Sequence, residues 1–184
     1  MEPGTTLALE SILGDNLNNI TNGITNINID IPANATVTWE TGAQHGSTPL
    51  IPEGATVETV TFSGGGTFKA IGDGVGPIRA ANGGKLVFEN ITIIDESVSY
   101  KEDSWEFGYL EFEGEVEFIN SNFESAVMFD GDKASFTGCT FNSNKWNEYA
   151  AWISNGIASF ENCTFEGSRG IKVHEAYGSD VTSV

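Results

Sequence analysis

The sequence predicts an all-β protein, specifically a parallel β-helix whose chain winds through stacked coils of about 18–30 residues. Three observations predict this fold. A short motif returns along the second half of the chain, each copy follows a strand-like segment with a central glycine, and 22 of the 184 residues are glycine. We expect residues 1–24 to form an N-terminal cap and connector, and residues 25–184 to form the β-helix.

The repeated motif has an apolar residue at each end and Asn or Gly in third place. Its four copies are FENITI at 88–93, FINSNF at 118–123, FTGCTF at 136–141 and FENCTF at 160–165. Alternate side chains of a strand face the same side, so the leading phenylalanines, together with Cys139 and Cys163, are expected to point into the core. Asn and Gly tolerate the left-handed backbone of a sharp bend. Equivalent positions are then expected to stack about 4.8 Å apart in Phe, Asn and Cys ladders.

A further short strand is predicted before each motif. It is separated from the Phe strand by a glycine turn in YLEFEGEVEF at 109–118, VMFDGDKASF at 127–136 and WISNGIASF at 152–160. Three short strands per coil predict a three-sided solenoid. The structural alternative is an antiparallel sandwich, in which the fixed offset of the stacked Asn and Cys positions would be a coincidence.

The two ends of the repeat lead to separate expectations. TTLALESILG at 5–14 predicts a short amphipathic helix that caps the core, with a disordered leader as the alternative. At the other end, VTSV reaches Val184 where the next motif is due. An unpaired strand edge there predicts either further coils or end-to-end self-association with a second copy.

These motifs resemble the pectin lyase-like superfamily of right-handed β-helices, particularly secreted or surface proteins of bacteria whose coils read F-x-N-C-x-F. The resemblance covers about residues 25–184. It implies the handedness of the solenoid and an extracellular or cell-surface location. It implies little about chemistry, because this fold carries lyases, hydrolases, esterases, adhesins and tailspikes.

The charge balance restricts the classes of partner. Eight Lys and Arg residues stand against 26 Asp and Glu residues, a formal net charge of −18. Such a surface repels nucleic acids and anionic membranes, because binding them requires basic groups that neutralise phosphate. No apolar run reaches the roughly 18 residues of a membrane helix, and the first residues lack the positive region of a signal peptide. Cations and neutral sugars remain as expected partners.

The acidic residues suggest two kinds of chemistry. Glu111, Glu113 and Asp130 are expected to face outward on neighbouring coils, as a pair of carboxylates does in a glycoside hydrolase. Calcium is the only cofactor that the sequence suggests, with Asp103, Asp130 and Asp132 as its candidate ligands. Solvated turn residues need no ion, and a chance pair of acids is expected in so acidic a chain.

Enzyme motifs of the resembled superfamily are mostly missing. QHGS at 44–47 and RGIK at 169–172 only faintly resemble polygalacturonase motifs, and the paired aspartates are absent. Zinc is not expected, because His45 and His174 are far apart and the two cysteines belong to the inward ladder. Those cysteines are interpreted as small core residues, with a disulfide between coils as the alternative.

Two aromatic-rich segments interrupt the repeat, at 94–108 and 142–150. Aromatic rings that alternate with hydrogen-bonding groups are typical of sugar-binding grooves. The alternative is that these rings fold back and anchor the loops, and Trp152 just beyond them is assigned to the core. The predicted ligand-binding residues are Tyr100, Glu102, Trp105, Glu106, Trp146, Glu148 and Tyr149.

Three classes of function follow. The first is a secreted or surface module that binds a glycan or another extracellular partner, as adhesins do, and the aromatic segments favour it. The second is a polysaccharide lyase or glycoside hydrolase with unrecognised carboxylate catalysts. The third is a structural stalk whose coils only provide length.

Overall fold

The structure alternates between strands of two sheets. The computed structural model of this protein describes residues 5–8, 25–41, 48–49, 57–72, 78–79, 84–97, 110–143, 149–167, 169–173 and 181–183. These residues form seventeen strands: β1 (Thr6–Ala8), β2 (Asn26–Asp30), β3 (Thr36–Thr41), β4 (Thr48–Pro49), β5 (Thr59–Ser63), β6 (Thr67–Gly72), β7 (Ile78–Arg79), β8 (Lys85–Glu89), β9 (Thr92–Asp95), β10 (Leu110–Ile119), β11 (Asn122–Phe123), β12 (Val127–Thr137), β13 (Thr140–Ser143), β14 (Ala151–Glu161), β15 (Thr164–Gly167), β16 (Ile171–Val173) and β17 (Val181–Ser183).

The strands form one seven-stranded and one ten-stranded sheet. The order in the smaller sheet is β1-β3-β6-β9-β11-β13-β15, and the main order in the larger is β16-β14-β12-β10-β8-β5-β2. Every pairing between the described strands is parallel. This confirms the all-β, parallel prediction, which is consistent with a β-solenoid, and it contradicts the antiparallel sandwich. The described part of the chain contains no helix of the length and apolarity that crossing a membrane requires.

The predicted N-terminal helix is wrong where the structure describes it. Thr6–Ala8 form strand β1, which pairs in parallel with Thr36, Val37 and Thr38 of β3. The Thr36 N–H donates to the Thr5 carbonyl at 2.8 Å. Pairing satisfies the backbone groups of the β3 edge, so this tertiary contact outweighs the local helical pattern. The remainder of the predicted helix and connector, residues 9–24, lies outside the described residues.

Phenylalanine ladders fill the core, as the motif predicts. In the larger sheet, Phe62, Phe88, Phe118, Phe136 and Phe160 stack with successive ring centroids 4.9, 5.0, 5.2 and 4.6 Å apart. In the smaller sheet, Phe123, Phe141 and Phe165 stack at 4.5 and 4.7 Å. Rings of the two ladders meet edge to face, which suits their electrostatic quadrupoles. The core therefore lies between the two sheets.

The bends between the two sheets are the predicted Asn and Gly residues. Asn90, Asn120, Gly138 and Asn162 have φ values of 56, 48, 66 and 55°. The N–H groups of Asn90, Asn120 and Gly138 each donate to the carbonyl of the residue just before the next bend. The acceptors are Ile119 at 2.9 Å, Thr137 at 2.8 Å and Glu161 at 2.8 Å. The ladder of left-handed bends is therefore confirmed. Asn34, at φ 67°, is a further bend of this kind.

Each glycine turn predicted before a motif lies inside a strand and does not end it. The predicted strand pairs at 109–118, 127–136 and 152–160 are the single strands β10, β12 and β14. The pairing register between these strands shifts at Gly114, Gly131 and Gly156. At this point β12 has two unpaired residues, where β10 and β14 each have one. A bulge bends a strand while pairing continues on both sides of it. The larger sheet therefore includes two of the three strands predicted for each coil.

Candidate functional site

The first halves of β10, β12 and β14 have one core face and one outward face. Phe112, Phe129 and Ile153 are paired neighbours that point into the core. Because side chains alternate along a strand, the residue before each of them faces outward. The register aligns these outward residues in one row across four strands: Glu111, Met128, Trp152 and Lys172.

A second outward row lies two residues further along the strands. Glu113 of β10 pairs with Asp130 of β12, which pairs with Asn155 of β14. The Asn155 side chain hydrogen-bonds the Asp130 carboxyl, and its Oδ1 accepts the Gly156 N–H at 2.8 Å. Asn155 reaches this row because Ser154 is an extra residue at a register shift. The second row is therefore made entirely of hydrogen-bonding groups.

The three predicted catalytic carboxyls lie together in these rows. Burial, with smaller contributions from the nearby carboxylates of Glu113 and Asp130, raises the pKa of Glu111 to about 7. Burial also raises the pKa of Asp130, and the hydrogen bond from Asn155 opposes that rise. Glu111 thus holds its proton closer to neutral pH than an ordinary carboxyl does, with two further carboxyls beside it, a combination suited to general acid catalysis.

An apolar cluster lies beside the carboxyls. Ala126, Met128 and Trp152 are buried against one another, separately from the main core. Trp152 is therefore buried, as predicted, but on the outward face of the sheet and not between the two sheets. The Lys172 ammonium lies 3.5 Å from the centroid of the Trp152 ring, a cation–π contact.

Tyr149 is the one predicted ligand-binding residue within the described part of the chain. Its half-buried ring has the Arg169 guanidinium 5.6 Å from its centroid. The other six predicted ligand-binding residues lie outside the described ranges: Tyr100, Glu102, Trp105, Glu106, Trp146 and Glu148. The calcium candidate Asp103 lies outside them as well.

The two segments that contain those residues rejoin the larger sheet close together. Residues 98–109 lead into β10, and residues 144–148 lead to β14 through Tyr149 and Ala150. Only β12 separates the two entry points: the Leu110 N–H donates to the Ala126 carbonyl at 3.3 Å, and the Val127 N–H to the Ala150 carbonyl at 3.2 Å. Both entry points lie at the same end of the carboxyl rows.

The predicted calcium ligands are only partly placed. Asp130 is half-buried in the second row, and Asp132 is exposed at the bulge. Among the described residues, no group of three or more His, Cys, Asp or Glu side chains is arranged to hold a metal ion. The described residues therefore give no support to a calcium site, and Asp103 is not among them.

Sequence reasoning missed three members of the site: Met128, Asn155 and Lys172. Aligning the segments on their phenylalanines alone places Ser154, not Asn155, beside Asp130. A shift of one residue exchanges the two faces of a strand, so the extra residue in β14 had to be known first. Lys172 belongs to a short strand, β16, that follows the last motif.

The described residues thus define an all-β protein of parallel sheets with a carboxyl cluster on an outward face. No protein-family model, no curated protein and no solved structure matches this chain.

Proposed function

We propose that this protein is a right-handed, three-sided parallel β-helix of the pectin lyase-like kind that binds a glycan. The two parallel sheets, the bend ladder and the F-x-N-C-x-F motifs support this architecture. The proposed location is the exterior or cell surface of a bacterium. An experimental structure with left-handed connections between the sheets would contradict the proposed architecture.

The observation that supports glycan binding best is the pair of outward rows on β10, β12 and β14. Glu113, Asp130 and Asn155 provide a row of hydrogen-bond acceptors and donors for sugar hydroxyls. The buried Met128–Trp152 cluster lies beside them. The aromatic segments at 94–108 and 142–150 are followed by β10 and β14, which begin at the same end of these rows. Polar groups that fix hydroxyls next to apolar and aromatic side chains are the usual composition of a sugar site.

Affinity electrophoresis in gels that contain single plant, bacterial or host polysaccharides tests this proposal. We expect retardation by at least one polysaccharide, lost in Asp130→Asn and in the double variant Trp105→Ala/Trp146→Ala. Glu166→Gln is the matched control, because Glu166 is an exposed acid on β15 of the other sheet, and it should be retarded like the wild type. No retardation by any polysaccharide, or equal retardation of all variants, would contradict glycan binding at these rows.

A second proposed function, a carbohydrate-active enzyme, is favoured by Glu111. Its pKa of about 7 makes it a proton donor near neutral pH, beside Glu113 and Asp130. Release of reducing sugar from the retarding polysaccharide should then be abolished by Glu111→Gln. A general acid acts in its protonated form, so activity should fall as the pH rises through about 7. Binding without release of product assigns the protein to the first function, and the absence of both is the result expected of a stalk.

A further inference from the structure

A ladder of small polar side chains follows the bend residues. Ser121, Cys139 and Cys163 occupy equivalent places in three successive motifs, and each donates its hydrogen to two backbone carbonyls. One acceptor is the carbonyl two residues earlier in the chain: Ile119 for Ser121 at 3.1 Å, Thr137 for Cys139 at 3.6 Å, and Glu161 for Cys163 at 3.5 Å. The other acceptor is the carbonyl of the leading phenylalanine of the preceding motif: Phe88 for Ser121 at 3.1 Å, Phe118 for Cys139 at 3.4 Å, and Phe136 for Cys163 at 3.5 Å. The repeated pattern means that the three side chains point the same way and stack.

The two cysteines lie on neighbouring chains of this stack. Thr140 pairs in register with Thr164, and the Thr164 N–H donates to the Cys139 carbonyl at 2.9 Å. Adjacent strands lie about 4.8 Å apart, which falls within the Cα separation of about 4.4–6.8 Å that a disulfide spans. The thiols interact with each other, and both are free. The Cα spacing therefore allows a disulfide, which also requires the two Cβ atoms to approach to about 3.5–4.5 Å.

The two thiols differ in their access to solvent. Cys139 belongs to the core and is 1% exposed. Cys163 is half-buried at the edge of the core. A dissolved oxidant therefore reaches Cys163 first, and Cys139 can react only with a group already attached to Cys163.

We propose that Cys139 and Cys163 form a redox modification site, in which exchange with a small disulfide such as oxidised glutathione links the two neighbouring strands. The Cys163 thiolate attacks one glutathione sulfur, which breaks the glutathione disulfide and releases the first glutathione thiolate. The Cys139 thiolate then attacks the Cys163 sulfur of the mixed disulfide and displaces the second glutathione. The two protein thiols lose two electrons, the glutathione disulfide gains them, and the two thiol protons end on the two released glutathiones.

The second of these steps limits the rate. Burial raises the pKa of the Cys139 thiol to about 11, and the nucleophile is its thiolate. The thiolate fraction of Cys139 rises about tenfold per pH unit below that pKa, so closure of the bond should accelerate with pH in the same proportion. The mixed disulfide at Cys163 should accumulate near neutral pH and be consumed at pH 9.

The disulfide would covalently link the motif at 160–165 to the preceding motif at 136–141. It removes conformational freedom from the unfolded chain between the two cysteines. For a chain of this size we expect the thermal midpoint of the oxidised protein to lie about 5–10 °C above that of the reduced protein.

Intact mass spectrometry and peptide mapping of the full chain test the proposal. Protein incubated with oxidised glutathione at pH 9 should lose two hydrogen atoms, yield one linked peptide that contains both cysteines, and return to its starting mass with dithiothreitol. Glutathione adducts without the internal link, disulfide-linked dimers, or an unchanged mass would overturn it. An internally linked protein with an unchanged thermal midpoint would contradict stabilisation of the folded protein by the disulfide.

Two serine variants provide controls, because Ser121 is the residue that fills this place naturally. Cys139→Ser should take up one glutathione at Cys163 and stop there. Cys163→Ser should take up none, because Cys139 is buried. Uptake by Cys163→Ser equal to that of Cys139→Ser would contradict the proposed order of attack. Neither variant should show the rise in thermal midpoint on oxidation.

Discussion

Glu111 is an ionisable residue whose burial makes stability depend on pH. Its pKa is about 7 in the folded protein and near the ordinary 4.5 in the unfolded chain. The folded protein therefore binds the Glu111 proton more tightly than the unfolded chain does. The stabilisation that this proton gives to the folded protein is fully present below pH 4.5. That contribution is lost as the pH rises to about 7, and it is constant above that value. The shift corresponds to about 2 kcal/mol after allowance for the part of the side chain that remains in contact with solvent.

Glu111→Gln should remove that dependence, because the amide has the same shape and does not titrate. The measurement is urea unfolding at pH 5 and at pH 8. Between these two pH values, the free energy of unfolding of the wild type should fall by about 2 kcal/mol more than that of the variant. At pH 8 the variant should be at least as stable as the wild type. Glu89→Gln, at an exposed position on β8, is the control and should keep the wild-type dependence. An unchanged dependence in Glu111→Gln would contradict the burial of this carboxyl.

The long strands of the larger sheet depend on glycine where they bulge. Gly114, Gly131 and Gly156 lie on successive strands, and a Cβ on Gly156 would collide with the carbonyl oxygen of Gly131. Gly156 also has φ +83°, which L residues rarely adopt. Glycine here allows two strands to pass close together and one of them to bend. These two requirements are independent, so their energetic costs should add.

Gly156→Ala should therefore lower the free energy of unfolding by about 3 kcal/mol, roughly half from the left-handed backbone and half from overpacking. Gly114→Ala isolates the first cost, because φ is +81° and nothing lies within 4 Å of its added Cβ. It should lower the free energy of unfolding by about 1–2 kcal/mol. Gly170→Ala has neither problem and should change it by less than about 0.5 kcal/mol. Equal effects in all three variants, measured by urea unfolding, would show that close packing at the bulge is not limiting.

Local steric rules made some elements predictable and left others beyond the reach of the sequence. The bends at Asn90, Asn120 and Asn162 follow from the backbone tolerance of asparagine, and the Phe ladders follow from alternation within the motif. Strand β1 depends on pairing with residues about thirty positions away, which overrides the helical pattern at Thr6–Ala8. The site was predicted as three carboxyls. Its member Asn155 could not be, because its place beside Asp130 depends on an extra residue in β14 that sets the register. Lys172 could not be either, because it belongs to β16, which follows the last motif.

The described strands pair in sequence order along each sheet, so each motif packs mainly on its two neighbours and burial differs between the middle and the edges. Phe118 is fully buried in the middle of its ladder. Toward one edge, Phe160, Phe165 and Ile171 are only partly buried against the core, and Val173 is 46% exposed. End-to-end self-association at this edge stays a prediction, which sedimentation velocity over a range of concentrations can check.

Phe118→Ala should lower the free energy of unfolding more than Phe165→Ala does, because Phe118 is fully buried and Phe165 is only partly buried. The Phe118 ring lies against five other rings: Phe88, Phe112, Phe123, Phe129 and Phe136. Its removal should leave a cavity closed on all sides and lower the free energy of unfolding by about 3–5 kcal/mol. Within the described part of the chain, the rings of Phe141 and Phe160 lie against Phe165, which is half-buried, so solvent can enter the space that its ring leaves. Phe165→Ala should cost about 1–2 kcal/mol, in proportion to the smaller apolar area lost. Urea unfolding followed by tryptophan fluorescence measures both, and equal costs would contradict a stack whose edge is less well packed than its middle.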